Sequence, residues 1–440
     1  MSRRPDRVTA RVEMDSVARG TLINLSTRTA GVAAVLLITV LTARLGTETQ
    51  GMFALFTSVE GVLLALFSGF GIALARRISH HGEQPRALQA ATIAACIALG
   101  AVAGSGLWAF AALGPPAYAP LWLLALAAPL LLVAPNAAGV WLGEGRMAPM
   151  ARLTLTPPLL TLLALVALLF GTQTTALPQV LGAWVGAKVL VGIGVLWVLW
   201  RGGRFAAPAF GALRAELPFI ATIGATNLVG LMNYRVGLFV VERLLGLSAT
   251  GVYSIAVVVA ELLWFVSSSL TQAAYGRLGH PDRERAAATT VRVAQLSVAA
   301  LVLLAPLLWV VAALGLPRVL GPAYADSVLP AAVLLPGVLL FGGASALSAY
   351  FTNHAGQPQV PAQVAALSLA LNAGLAMALV PPLGMVGAAL AASLSYAVAV
   401  LVLARRFARH AGLPLASVLV PGSQLWIDLQ AVTSMARMGR

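Results

Sequence analysis

Charge is scarce in this 440-residue chain: 10% of its residues are Asp, Glu, Lys or Arg, whereas 60% are hydrophobic. Mean hydropathy is +0.90. An ordinary soluble domain is about 25% charged. This chain has too little polar surface to cover a water-exposed fold of its length, which excludes a water-soluble enzyme. Cysteine is limited to Cys96, so there is neither a disulfide framework nor a cysteine-based metal site. Lysine is limited to Lys188. That poverty, with abundant alanine, points to a GC-rich genome and a bacterial source. Neither a Walker A loop nor a dinucleotide glycine fingerprint occurs, so nucleotide hydrolysis by this chain is not expected.

Long apolar runs are what the sequence does have. A hydrocarbon core of about 30 Å needs about 20 apolar residues as helix. Cutting the runs at polar or Pro/Gly-rich breaks predicts twelve spans: 21–43, 52–74, 87–113, 117–142, 151–171, 178–200, 217–241, 250–275, 290–315, 326–351, 361–380 and 384–404. The least marked division follows 87–113, where Pro115, Pro116 and Pro120 supply the break. Residues 1–20 hold Arg3, Arg4, Arg7, Arg11 and Arg19 without an apolar core, so no cleavable signal peptide is expected.

The 28 basic residues orient these spans. With the N-terminus cytoplasmic, 22 of them fall on that side, among them Arg76, Arg77, Arg86, Arg201, Arg214, Arg283, Arg285, Arg405, Arg406 and Arg409. Three, Arg44, Arg243 and Arg318, fall outside, and three, Arg28, Lys188 and Arg235, lie within spans. Basic residues are retained on the cytoplasmic side during insertion, so both termini are expected there. The net charge of +14 then reports topology, and nucleic acid is not an expected partner.

The chain repeats itself. Leu45-Gly46-Thr47-Glu48-Thr49-Gln50-Gly51-Met52-Phe53-Ala54 has a counterpart 200 residues on, at Leu245-Gly246-Leu247-Ser248-Ala249-Thr250-Gly251-Val252-Tyr253-Ser254. Residues 145–152 likewise resemble 356–363, each opening the fifth span of its half. The expected organisation is a basic arm (1–20), a six-helix lobe (21–200), a basic linker (201–216), a second six-helix lobe (217–404) and a tail (405–440). In parallel repeats of this kind substrate sites lie between the halves. The tail segment 423–438 either forms an interfacial helix or stays disordered.

These residues carry a family resemblance. The run from Ala43 to Leu55 resembles the R-x-L-G-x-x-x-x-G-x-[YF] signature of the polysaccharide-transporter branch of the MOP (MATE-like) superfamily, which includes the Wzx-type O-antigen flippases. Gly69-Phe70-Gly71 to Arg76-Arg77 is similar to that branch's second-span ending. Gly251-Val252-Tyr253-Ser254-Ile255-Ala256 is similar to its eighth span, and 379–392 to its last turn. The resemblance covers roughly 20–405. It implies an all-α polytopic fold of two pseudo-symmetric lobes around a V-shaped cavity. Its implied function is to flip an undecaprenyl-pyrophosphate-linked oligosaccharide, an O-antigen, capsule or exopolysaccharide unit, across the bacterial inner membrane. Implied partners are the lipid-linked cargo, membrane lipids, and the polysaccharide polymerase and chain-length machinery. Members often place an acid in the seventh span, where this chain has Asn227, Asn233 and Arg235.

A charge at the bilayer centre costs about 3 kcal/mol or more, so ionisable residues within spans are functional candidates. Arg28 lies about 10 Å below the cytoplasmic interface, at 1.5 Å per residue, with Thr21 and Asn24 on its face. Lys188 lies mid-span, too deep to snorkel easily, and Arg235 lies near the outer end of the seventh span. These three are the candidate cations for an anionic pyrophosphate head. Asn24, Asn227, Tyr234 and Gln272 are the supporting polar side chains. Glu60 and Glu261, in equivalent second spans of the halves, are candidates for coupling or charge balance. His80, His81, His280, His354 and His410 read as loop or interface residues. The outer segments hold only Glu48, Glu242 and Asp326 as acids, so no catalytic residue, metal site or enzymatic activity is expected. No cofactor is expected beyond a coupling H+ or Na+. Two alternatives stand: a cation-coupled MATE-type multidrug exporter, which would rest on intramembrane acids, and a non-transporting component or enzyme of glycan assembly. A lipid II flippase typically has two further spans that this length does not accommodate.

Overall fold

A computed structural model describes residues 26–27, 29–81, 86–171, 176–202 and 206–419. The N-terminal arm, Asn24, Arg28 and the tail segment 423–438 lie outside the described residues. Within them the chain forms helices and no strands. That follows from the apolar composition: in lipid every backbone N–H and C=O must be satisfied within its own segment. Among the described residues, ten helices are long and apolar enough to cross a membrane: Thr47–Ser79, Arg86–Leu113, Pro116–Gly143, Ala148–Gly171, Leu177–Arg201, Phe210–Ala273, Arg283–Leu320, Pro322–Asn353, Gln359–Leu383 and Met385–Ala411. The longest is two helices joined at Gly246, whose φ of 85° and ψ of −179° are non-helical. With the shorter apolar helix Thr29–Arg44, the twelve expected spans are accounted for. The break at Pro115 is real: Gly114 closes the third span on the Phe110 carbonyl at 2.9 Å, and a 3₁₀ turn over Pro116–Leu121 opens the fourth.

Contacts divide the chain into two compact units. The first comprises 1–45 and 56–228, the second 46–55 and 229–440. The division between them falls inside the seventh span. The reason is local. Glu216 is buried and accepts from Arg76 Nη2 at 2.7 Å and Arg77 Nε at 2.8 Å. Further along the same helix, a Cβ on Gly69 would collide with the Ile220 backbone, and one on Gly224 with the Leu66 carbonyl. Asn227 Nδ2 donates to Ser68 Oγ at 2.7 Å. The opening of the seventh span is therefore packed into the first unit.

Inside the first unit, Phe70, Leu74, Leu88, Cys96, Leu132 and Ile220 form one buried cluster, and Ile93, Trp141, Val195 and Leu199 form another. Small residues set helix spacing, as they must where lipid is as apolar as the side chains. A Cβ on Gly100 or Gly104 would strike backbone of the fourth span at Ala128 and Ala125. Large apolar side chains such as Leu163, 65% exposed, and Leu303, 69% exposed, are left on outer surfaces of the fifth and ninth spans. That is where hydrocarbon replaces water.

The internal repeat is structural. Gly46 and Gly246 adopt φ of 118° and 85°, and Gly145 and Gly356 φ of 67° and 62°. Both pairs are the glycines that the sequence repeat aligns, and both need a conformation that L side chains rarely adopt. Within the second unit the two copies face each other. Thr47 Oγ1 and Ser248 Oγ lie 2.7 Å apart, and Gln50 Nε2 donates to Ser254 Oγ at 3.1 Å. A Cβ on Gly51 would collide with the Leu247 carbonyl, and one on Gly251 with the Thr47 carbonyl.

Candidate transport site

In the first unit, the second and sixth spans bring Glu60 and Lys188 together. Lys188 Nζ lies 2.5 Å from Glu60 Oε1, with the lysine side chain 22% exposed and the glutamate 3%. The other carboxylate oxygen, Oε2, accepts from Trp184 Nε1 at 2.6 Å. Trp184 precedes Lys188 by one helical turn, which places both on one face. The ammonium also sits 3.9 Å from the centre of the Trp184 ring, a cation–π distance. The three groups close on themselves: cation against carboxylate, carboxylate against indole N–H, indole face against cation. Such closure is what keeps a charged pair tolerable away from water, because removing one partner leaves the other uncompensated.

This triad stands on the wall of a cavity of about 300 Å³ bounded by the second, fourth, fifth and sixth spans. Glu60, Lys188 and Thr154 are its polar groups, while Leu64, Leu153 and Val191 are among its apolar ones. The fourth span is free to curve round this space because Pro129 and Pro135 interrupt its hydrogen-bond ladder. Nearby, Asn136 Oδ1 accepts from Gly71 N at 2.9 Å, joining the fourth span to the second just past the break at Ser68.

The second unit holds the other pair. Arg235 Nη1 and Nη2 donate to Glu261 Oε1 and Oε2 at 3.1 and 3.2 Å, a two-pronged bridge between the seventh and eighth spans. The side chains are 27% and 24% exposed. Tyr234 lines the same small cavity as Glu261. It belongs to an aromatic cluster, with its ring centre 4.7 Å from Trp264, 6.0 Å from Phe341 and 6.5 Å from Tyr396. Buried Asn233, one residue earlier, offers its backbone carbonyl to Asn372 Nδ2 at 3.0 Å and to Tyr396 Oη at 3.3 Å.

Of the expected site residues, the structure joins Glu60 to Lys188 and Glu261 to Arg235. Asn227 is bonded to Ser68 in the first unit, Gln272 is exposed, and Arg28 and Asn24 lie outside the described residues. Trp184 was not among the expected residues. Its position four before the single lysine is the signal that could have found it.

No family model matches the chain, and no curated protein matches it in sequence. Solved structures do. An inward-facing multidrug resistance MATE family transporter of the MOP superfamily superposes with a TM-score of 0.70 at 16% identity, covering 91% of this chain and 100% of that one. The lipid II flippase MurJ, in an inward closed conformation, gives 0.66 at 12% identity over 91% of this chain and 89% of that one. A MOP superfamily transporter from Pyrococcus furiosus gives 0.62 at 14% over 91% and 96%. The chain is thus a multi-pass membrane protein with the fold of MOP superfamily transporters. At these identities the likeness is one of fold.

Proposed function

We propose that this chain is a flippase that moves an undecaprenyl-pyrophosphate-linked oligosaccharide from the inner to the outer leaflet of a bacterial cytoplasmic membrane, with both termini cytoplasmic. The observation that carries the proposal is Lys188. The only lysine of the chain stands on the wall of an apolar cavity, with one carboxylate opposite it. A pyrophosphate head is an oxyanion of at least two charges. Its passage through low dielectric requires fixed positive charge at close range.

Pairing changes how that charge is used. Both described intramembrane bases already face a carboxylate, so the cargo must compete with Glu60 for Lys188. A proton taken up by Glu60 removes the competition: the ammonium is released to the pyrophosphate, and the neutral acid keeps its hydrogen-bond partner in Trp184. Proton loss on the other side of the membrane restores the pair and expels the anion. One proton thus leaves with each cargo, so an acidic inner face, not an acidic outer one, favours export. Arg235 plays a different part, since a guanidinium stays protonated. Its bridge to Glu261 opens only by exchange of anions. Arg28 completes the proposed cation set, with Asn24 as a supporting polar side chain. Lobe rocking would expose the cavity to each face in turn, and the polymerase and chain-length machinery would receive the product.

Binding tests this reading. The purified protein should bind a polyprenyl pyrophosphate with release of its affinity on Lys188→Ala or Arg28→Ala. Equal binding by wild type and both variants would sink the charged-cavity mechanism. A second reading has one observation in its favour: with each base paired, Glu60 and Glu261 are available to a cationic drug by the same exchange. MATE transporters share the fold, so the fold does not separate the two, and cargo charge must.

A further inference from the structure

The Glu60–Lys188 cavity holds about 300 Å³, and nine of its twelve lining residues are apolar. The polar groups on its wall are committed. Glu60 Oε1 and Oε2 are taken by Lys188 Nζ and Trp184 Nε1, and Thr154 Oγ1 donates to the Met150 carbonyl one turn back at 3.0 Å. Among the described residues, the lining therefore gives no side-chain amide and no uncommitted hydroxyl donor.

A sugar ring fits such a lining poorly, because each hydroxyl that leaves water without a partner costs free energy. Hydrocarbon fits it well. An apolar cavity of about 150 Å³ takes one benzene, so a space twice that size takes about ten carbons, the content of two isoprene units. The layout also separates charge from hydrocarbon. Leu64 follows Glu60 by one turn of the second span, and Val191 follows Lys188 by one turn of the sixth. Both are even-numbered spans and run the same way, so these apolar walls lie on one side of the charged pair. Leu153 faces the space from the fifth span, and the exposed residues Pro135 and Thr154 stand at its open edge.

We propose that this cavity holds the first two isoprene units of the lipid carrier, beside the pyrophosphate, and that the glycan stays outside it. The inference rests on the lipid-linked cargo proposed above. It assigns to this site the pyrophosphate–prenyl junction, which every cargo on the same carrier shares, so the site reads the carrier and not the sugar. Leu64, Leu153 and Val191 are the residues that determine this specificity.

Isothermal titration of the full chain in neutral detergent at mildly acid pH, with geranyl pyrophosphate, inorganic pyrophosphate or uridine-diphosphate glucose, tests this. Geranyl pyrophosphate should bind at least about tenfold tighter than the other two, as burial of its carbons requires. Val191→Phe should fill the space and erase that advantage. Leu153→Phe, from the fifth span, answers the same question should Val191→Phe fail to fold. Leu303→Phe, on an outer surface of the ninth span, should leave the advantage in place. Three results would overturn this inference alone: equal binding of the three probes, an advantage that survives both fillings, or displacement of geranyl pyrophosphate by equimolar phosphatidylglycerol. The last would make the cavity a site for membrane lipid. Binding of none of the probes, or binding indifferent to Lys188→Ala, would overturn the cargo reading and this inference with it.

Discussion

One carboxylate serves both residues of a helical turn: Glu60 Oε1 lies 2.5 Å from Lys188 Nζ, and Glu60 Oε2 accepts from Trp184 Nε1 at 2.6 Å. Neither charge can be removed alone without stranding the other. Lys188→Met should therefore destabilise the protein by about 3 kcal/mol, the usual cost of breaking a buried pair. Glu60→Gln combined with Lys188→Met should recover most of that, because a neutral pair of similar volume replaces two charges. Thermal unfolding in detergent reads the stability. Transport should stay lost in the double variant, which separates a functional ammonium from a structural one.

Trp184 makes two contacts that can be dissected. Trp184→Phe keeps an aromatic face for Lys188 but removes the N–H donated to Glu60, a hydrogen bond to a charged group worth about 1.5–3 kcal/mol. Trp184→Leu removes the face as well, a further loss of about 0.5–2 kcal/mol. Unfolding midpoints should fall in the order wild type, Phe, Leu. Equal midpoints for Phe and Leu would show that the ring face contributes nothing.

The docking of the two repeat copies predicts intolerance at both aligned glycines. Gly51→Val and Gly251→Val each drive a side chain into backbone, at Leu247 and Thr47 respectively. Overpacking of that kind costs about 1–3 kcal/mol, and here the obstacle is a carbonyl that cannot rotate away. Gly230→Ala, where no atom lies within 4 Å of the new Cβ, should be tolerated. Folded yield and unfolding temperature of the three variants decide the matter.

Arg235 and Glu261 meet through both guanidinium nitrogens, a geometry that lysine cannot reproduce. Arg235→Lys should therefore behave as a loss, lowering stability by about 1 kcal/mol. If Arg235→Lys matched wild type in unfolding temperature and transport, the pair would act through charge alone.

Much of the fold was legible because lipid imposes a single rule on every span: the twelve apolar runs and their breaks at Pro115 and Gly384 are visible in composition alone. The repeat was legible because positive φ demands glycine, so Gly46 with Gly246 and Gly145 with Gly356 survive as matched letters. Glu60 and Lys188 could each be singled out as a charge in an apolar run, but not as a pair. They are 128 positions apart, and helix packing, not local pattern, brings them together. The aromatic neighbours of Tyr234 were not legible for the same reason: packing brings Trp264, Phe341 and Tyr396 to it from distant positions. Glu216 reads as loop polarity in sequence, because only packing brings Arg76 and Arg77 to it from the second span.

The central claim, an anionic lipid-linked cargo held by Lys188 as Glu60 gains and loses a proton, is tested most directly in sealed vesicles holding the purified protein. The measurement is the rate at which a fluorescent polyprenyl-pyrophosphate saccharide becomes accessible in the opposite leaflet, with and without a proton gradient, beside the uptake of a cationic dye. The account predicts flipping of the saccharide that is faster when the cargo-loading face is the acidic one, its loss in Lys188→Ala, and no dye movement. Dye transport that survives Lys188→Ala, with no flipping of the saccharide, would contradict it and place this chain among cation exporters.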